Sequence, residues 1–215
     1  MKSRSGWVLG TLIALCLPAA SRAAPADALD ELAVVLAMIH QDPPAQALDR
    51  FRPGLYEKLA AIEADPRRPR IARVRALAFM AREDGARALP RVLAVAGDPE
   101  ASGRLRIAAA WTLGHPLKRF PQAVDALAGL LQDPDPGLRA EAVRSLSLVG
   151  TPRALELLEA RRLVERHVVV RRALRAAAAR AQGLPLEALP REGRPRAPVL
   201  RHHFDLRVPA GKEVR

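Results

Sequence analysis

The sequence predicts an all-α fold, a right-handed α-solenoid of stacked helical hairpins, with an irregular C-terminal tail. Three observations carry that expectation. The stretch from Asp133 to Ala160 reads as a turn, a helix-period segment, a Gly-Thr-Pro break and a second helix-period segment. Leu138, Ala142, Val143, Leu146 and Val149 share one helical face, and Ala154, Leu155, Leu157 and Leu158 form the next apolar stripe. Gly150 is suited to the left-handed conformation that ends a helix, while Thr151-Pro152 supplies an N-cap and a first-turn proline. The second observation is recurrence. The spacing Arg-x-x-Ala-x-x-x-Leu at Arg139, Ala142 and Leu146 reappears at Arg106, Ala109 and Leu113, then at Arg73, Ala76 and Met80. It decays to Arg171, Leu174 and Ala178, with the arginines 33, 33 and 32 residues apart. Third, Asp65-Pro66, Asp98-Pro99 and Asp133-Pro134 keep nearly the same beat. A fixed period in this range marks helical pairs that bury their apolar faces by stacking on their neighbours.

These residues resemble the HEAT repeat family, most closely its phycobilisome-lyase-like branch. The family pattern runs from an Asp-Pro turn through Val/Leu-Arg and x-x-Ala to a Leu-Gly helix end and a second helix. It is carried here by Asp133, Pro134, Leu138, Arg139, Ala142, Leu146 and Gly150. The resemblance spans residues 65 to 182 and implies the stacked-helix fold. It implies much less about function, because such solenoids host many unrelated roles.

Taken in order, residues 1–23 read as a secretory signal peptide. Lys2 and Arg4 form the charged start, Gly6 to Leu17 the apolar core, and Ser21-Arg22-Ala23 a cleavage site. The core is short for a membrane span. Cys16 raises lipid attachment as an alternative, but bulky Leu15 just before it argues against that. Cleavage would remove Lys2, Arg4, Arg22 and the sole cysteine, which excludes disulfides, thiol catalysis and Cys-ligated zinc from the mature chain. The expected compartment is periplasmic or otherwise extracytoplasmic.

Residues 24–64 read as a divergent N-terminal helical cap. A first helix is expected over Asp27 to Gln41, a weaker segment over Ala45 to Arg52, and a third helix over Leu55 to Ala64. Residues 65–183 hold the repeats. Arg70–Ala81 is expected to pair with Ala86–Ala96, Ala101–Leu113 with Pro121–Gln132, and Leu138–Val149 with Pro152–Leu163. The last helix, Arg166–Gln182, is expected to present a polar outer face, and Pro90 to lie near its helix start. Gly114 to Phe120 makes a longer loop than the other units have; a binding loop and a tolerated insertion are both open readings. Residues 184–215 form a proline-rich tail with a possible short strand, where Leu200, His202, Phe204, Leu206 and Val208 alternate with polar residues. Such a strand must pair or dock, so Leu200, Phe204, Leu206 and Val208 are candidate protein-binding residues.

The chemistry is sparse. A net charge of +12 in 215 residues points to acidic proteins, anionic membranes or nucleic acid as partners, or to a solvated arginine-rich surface. Arg73, Arg106, Arg139 and Arg171 can line a phosphate groove or reach the Asp of a neighbouring turn; the resemblance favours the second, a ladder of charge-assisted hydrogen bonds. Trp111 reads as core packing. Glu156, Glu159 and Glu165 read as surface acids among arginines. His40, His115 and His167 stand in different units, and adjacent His202 and His203 would point to opposite faces of a strand, so no metal site is expected. No nucleophile–base set, glycine-rich phosphate loop or cofactor motif is present. Export and an aromatic content of 3% argue against nucleic acid. The expected function is a non-catalytic, exported scaffold or adaptor that binds another protein. The alternatives are an accessory subunit of an envelope enzyme, a lyase-like protein, or a basic-surface binder of anionic lipid or polysaccharide.

Overall fold

A computed structural model describes residues 26–38 and 43–185, and ten helices run through them. The first three are α1 (Ala26–Ala37), α2 (Ala45–Asp49) and α3 (Leu55–Ala64). They are followed by α4 (Arg70–Glu83), α5 (Gly85–Gly97), α6 (Gly103–Gly114), α7 (Pro121–Leu130), α8 (Pro136–Val149), α9 (Pro152–Val164) and α10 (Val168–Ala181). Helix starts follow from local chemistry. The Asp84 carboxylate accepts from Arg87 N at 3.0 Å, Asp135 from Gly137 N at 2.7 Å, and the Thr151 hydroxyl from Ala154 N at 3.3 Å. Pro121, Pro136 and Pro152 occupy first turns, where no amide hydrogen is needed. Gly150, at φ 66°, ends α8 in the left-handed conformation expected of it.

The helices form two layers. Short connections turn the chain back after each helix, so α4, α6, α8 and α10 lie side by side and run the same way. The odd layer, α3, α5, α7 and α9, covers their inner face, and α1 packs on α3 and α4. The recurrent apolar positions all point between the layers. Ala76, Met80, Ala109, Leu113, Ala142 and Leu146 are buried, as is Leu174 of the decayed unit. Alanine at the recurrent position of α4, α6 and α8 lets these helices approach closely. The closest approach is at Gly114, where an added Cβ would sit 2.3 Å from Ser145 Cβ and 2.6 Å from its Cα. The Ser145 hydroxyl is itself buried and donates to Ala110 O at 2.9 Å. The long 114–120 loop is packed: Leu117 is fully buried, and Leu117 and Phe120 close over Gly85.

The repeated arginines form the expected ladder in modified form. Arg106 donates back to Ala96 O at 3.2 Å, on the last turn of α5, and forward to the Asp133 carboxylate at 2.6 Å. Arg73 makes the matching backward bond to Glu63 O at 2.8 Å. Arg139 donates to Asp133 O and Pro134 O, and its fork grips Glu165 at 3.1 and 3.2 Å. Glu165 thus stands where an Asp-Pro acid would be in the last unit. The reading of Glu165 as a surface acid is overturned: it is buried, bonded also by Arg161 and by the amides of Arg166 and His167. Burial pushes its pKa up, but Arg139, the His167 amide and Arg161 outweigh that and hold it at about 2. A second buried acid, Glu63, is held by Arg91 at 2.8 and 3.0 Å and ties α3 to α5.

Other expectations need adjustment. Helix α1 ends at Ala37, and residues 39–42 lie outside the described residues. Pro90 lies inside α5, beyond the first-turn positions that need no amide hydrogen; it leaves the exposed Ala86 carbonyl to water. Helix α10 starts at Val168 because His167 caps it, accepting from Val169 N at 3.3 Å. Its outer end is not uniformly polar: Val168 and Val169 are exposed, beside Leu163 and Val164 of α9.

Gly114→Ala should destabilise the fold by about 1–3 kcal/mol, because the methyl group meets α8 backbone that cannot give way. Gly97→Ala, with nothing within 4 Å, should be neutral or stabilising, so urea melts of the two variants give opposite signs. Glu165 gives a second test. Its folded pKa lies below the ordinary 4.5, so its contribution is full above that value and is lost as pH falls from 4.5 toward 2. That contribution is about 3 kcal/mol; Glu165→Gln should remove it at neutral pH and flatten the acid limb of stability against pH.

Candidate functional site

The outer face of the even layer is a trough. Side chains at helical spacing on α4, chiefly Ile71, Val74, Ala78 and Phe79, face Ile107, Ala108 and Trp111 on α6 across a cavity of about 1000 Å³. A second cavity of about 310 Å³ continues it over α8 and α10, with an alanine floor at Ala173, Ala176 and Ala177. Trp111 and Glu141 line both, so the two cavities adjoin and together make a trough across four helices with these side chains between its two parts.

Trp111 is the centre of this face, and the reading of it as a core residue is corrected. It is half-buried, stacked on His115 with ring centroids 4.2 Å apart, and its ring lies 5.8 Å from the Arg82 guanidinium. The His115 ring nitrogen meets Trp111 O at 2.8 Å, which locks the imidazole on the indole. The sequence places Trp111 on a helix, but the repeat pattern marks only the face that enters the core. Trp111 is two residues before the core Leu113, which puts it on the other side.

The rim is cationic. Arg70 and Arg104 stand in the first turns of α4 and α6, Arg82 and Arg180 in the last turns of α4 and α10. Arg75 is committed to α1, donating to Leu36 O at 3.0 Å and also to Met38 O. Among the described residues, Glu141 is the sole acid lining the trough, and Arg144 neutralises it through bonds of 2.9 and 2.7 Å. Among the described residues, the Arg70, Arg104 and Arg180 side chains have no hydrogen bond or ion pair. The odd layer differs: Arg87 meets Glu57 at 2.7 Å and Arg162 meets Glu159 at 2.6 Å. The excess positive charge is therefore sorted onto one face.

Residues 89–179 match a family model described as HEAT repeats. Over those residues the stacked units are similar to HEAT repeats. No curated protein matches the chain. HEAT repeats are generally protein-interaction scaffolds. In this array Arg73, Arg106 and Arg139 point between units and not into the trough. Leu200, Phe204, Leu206 and Val208 lie outside the described residues, as do His202, His203 and Cys16. Among the described residues, no three acids or histidines gather as metal ligands, and no helix is long and apolar enough to cross a membrane.

Because Trp111 floors an open trough, Trp111→Ala should cost well under the ~3–5 kcal/mol of a core aromatic truncation. Leu113→Ala, two residues on and fully buried, should cost ~2–5 kcal/mol in the same urea melts.

Proposed function

We propose that the protein is an exported, non-catalytic scaffold that binds another protein in the trough across α4, α6, α8 and α10. One observation carries the reading: a recessed apolar floor around Trp111, framed by arginines of which Arg70, Arg104 and Arg180 meet no acid among the described residues. Apolar surface with a charged rim is the anatomy of a protein-binding patch, and an aromatic at its centre is the residue type that dominates such interfaces. Export rests on the charged start, apolar core and small-residue cleavage site of residues 1–23. The match to HEAT repeats supports a scaffold. The alternation at Leu200, Phe204, Leu206 and Val208 makes those residues a second, accessory contact.

The test is capture of partners from envelope extract by the mature chain at low and moderate salt. A discrete, stoichiometric partner should survive moderate salt and be lost with Trp111→Ala but kept with Arg153→Glu on the odd layer. A salt-labile mixture of acidic proteins, indifferent to Trp111→Ala, would show a nonspecific basic surface instead.

A further inference from the structure

We infer that the segment seated in this trough is an acidic amphipathic helix of the partner protein; this rests on the scaffold reading above. The dimensions come first. Arg70 and Arg82 are twelve residues apart on α4, so the two arginine rows start from backbone positions roughly 18 Å apart at 1.5 Å per residue, with the Arg82 guanidinium turned in over Phe79. That width admits a helix of about 10–12 Å diameter with its acidic side chains reaching either row. Four helices packed at ordinary spacings of ~8–10 Å give a trough roughly 25–30 Å long, enough for about 18–20 helical residues. The floor between the rows is aliphatic and aromatic, with Ile71, Val74, Ile107 and Trp111, which fits apolar anchors at i, i+3, i+4 and i+7.

Charge selects the occupant. Helices α4, α6, α8 and α10 carry many arginines and only Glu83 and Glu141 as acids, and Glu83 is taken by Arg52 at 2.8 Å. The chain's own residues 186–215 hold more Lys and Arg than Asp and Glu, so like charge disfavours that segment as the occupant. A second copy turning the same face inward meets the same repulsion. Nucleic acid would match the charge but leave the aliphatic floor unused, since its bases need stacking platforms and the floor offers Trp111 beside largely aliphatic side chains. A bilayer surface is broad and cannot enter a recess between two arginine rows. An acidic helix uses both the floor and the rims.

The test uses the full mature chain and a fluorescein-labelled synthetic peptide of about 20 residues, with Leu at helical spacing flanked by Glu. Comparison probes are the same peptide with Lys for Glu, a scrambled-order peptide of the Glu composition, a single-stranded oligonucleotide and anionic lipid vesicles. Anisotropy should show the Glu peptide binding at least about tenfold tighter than the scrambled one, and the Lys peptide not at all. Arg70→Glu with Arg104→Glu should weaken the Glu peptide about tenfold or more, as should Trp111→Ala, while Arg153→Glu leaves it unchanged. Melting curves confirm that each variant is folded. Equal binding of Glu and scrambled peptides, or tighter Trp111-dependent binding of the oligonucleotide or vesicles, overturns the inference. If the captured natural partner needs Trp111 but its bound segment is neutral or basic, the acidic helix is wrong and the scaffold reading stands. If the partner is held by another face, both fail.

Discussion

The array depends on one recurrent interaction, an arginine in the first turn of α4, α6 and α8 that ties its helix to the neighbouring joints, and at Arg106 and Arg139 it looks both ways along the stack. Backward, it satisfies carbonyls at the end of the preceding odd helix, as Arg73 does at Glu63 and Arg106 at Ala96. Forward, it meets an acid in the next turn, Asp133 for Arg106 and Glu165 for Arg139. The helix carbonyls would otherwise lack partners at a crowded junction, and the acids would be buried unpaired. A single side chain type therefore satisfies both carbonyls and buried acids at the joints around α6 and α8. Before α8, Arg139 makes its backward bonds within the turn itself, to Asp133 and Pro134, and keeps the same role. The N-terminal cap joins by the same device, since Glu63 offers its carbonyl to Arg73 and its carboxylate to Arg91.

With the joints built from arginine, the remaining faces are free to differ. Alanine and glycine on the even helices set the spacing, down to the contact of Gly114 with Ser145. Acids are drawn into turns and onto the odd layer, where they meet arginines. The outer face of the even layer keeps cations and apolar side chains together. The trough is thus a by-product of how charge is distributed around the joints, and its chemistry is cationic before any partner arrives.

Much of the helical frame was legible in the sequence, because its signals are local. Gly150, Thr151-Pro152 and the Asp-Pro pairs act within a few residues of themselves, and the repeat spacing names the core positions directly. What escaped depends on contacts between units. Glu165 looks like any acid among arginines until Arg139, twenty-six residues earlier, is brought beside it. Trp111 looks like core because large aromatics in alanine-rich helices usually are, yet its place in the period relative to Leu113 puts it outside. That offset was the available signal. Asp84 as the cap of α5 was missed for a plainer reason: its segment begins one residue earlier than its apolar period does.

The unequal packing of the two layers has a mechanical consequence. Even helices pack extensively on one another, whereas α5 with α7 and α7 with α9 touch lightly. A close-packed contact resists deformation, and a sparse one yields. Bending of the stack is therefore taken up on the odd side, and the even side acts as an inextensible strip. The array is stiff in the direction that would lengthen the trough and compliant in the direction that would not, so its footprint is held at constant length while the molecule flexes.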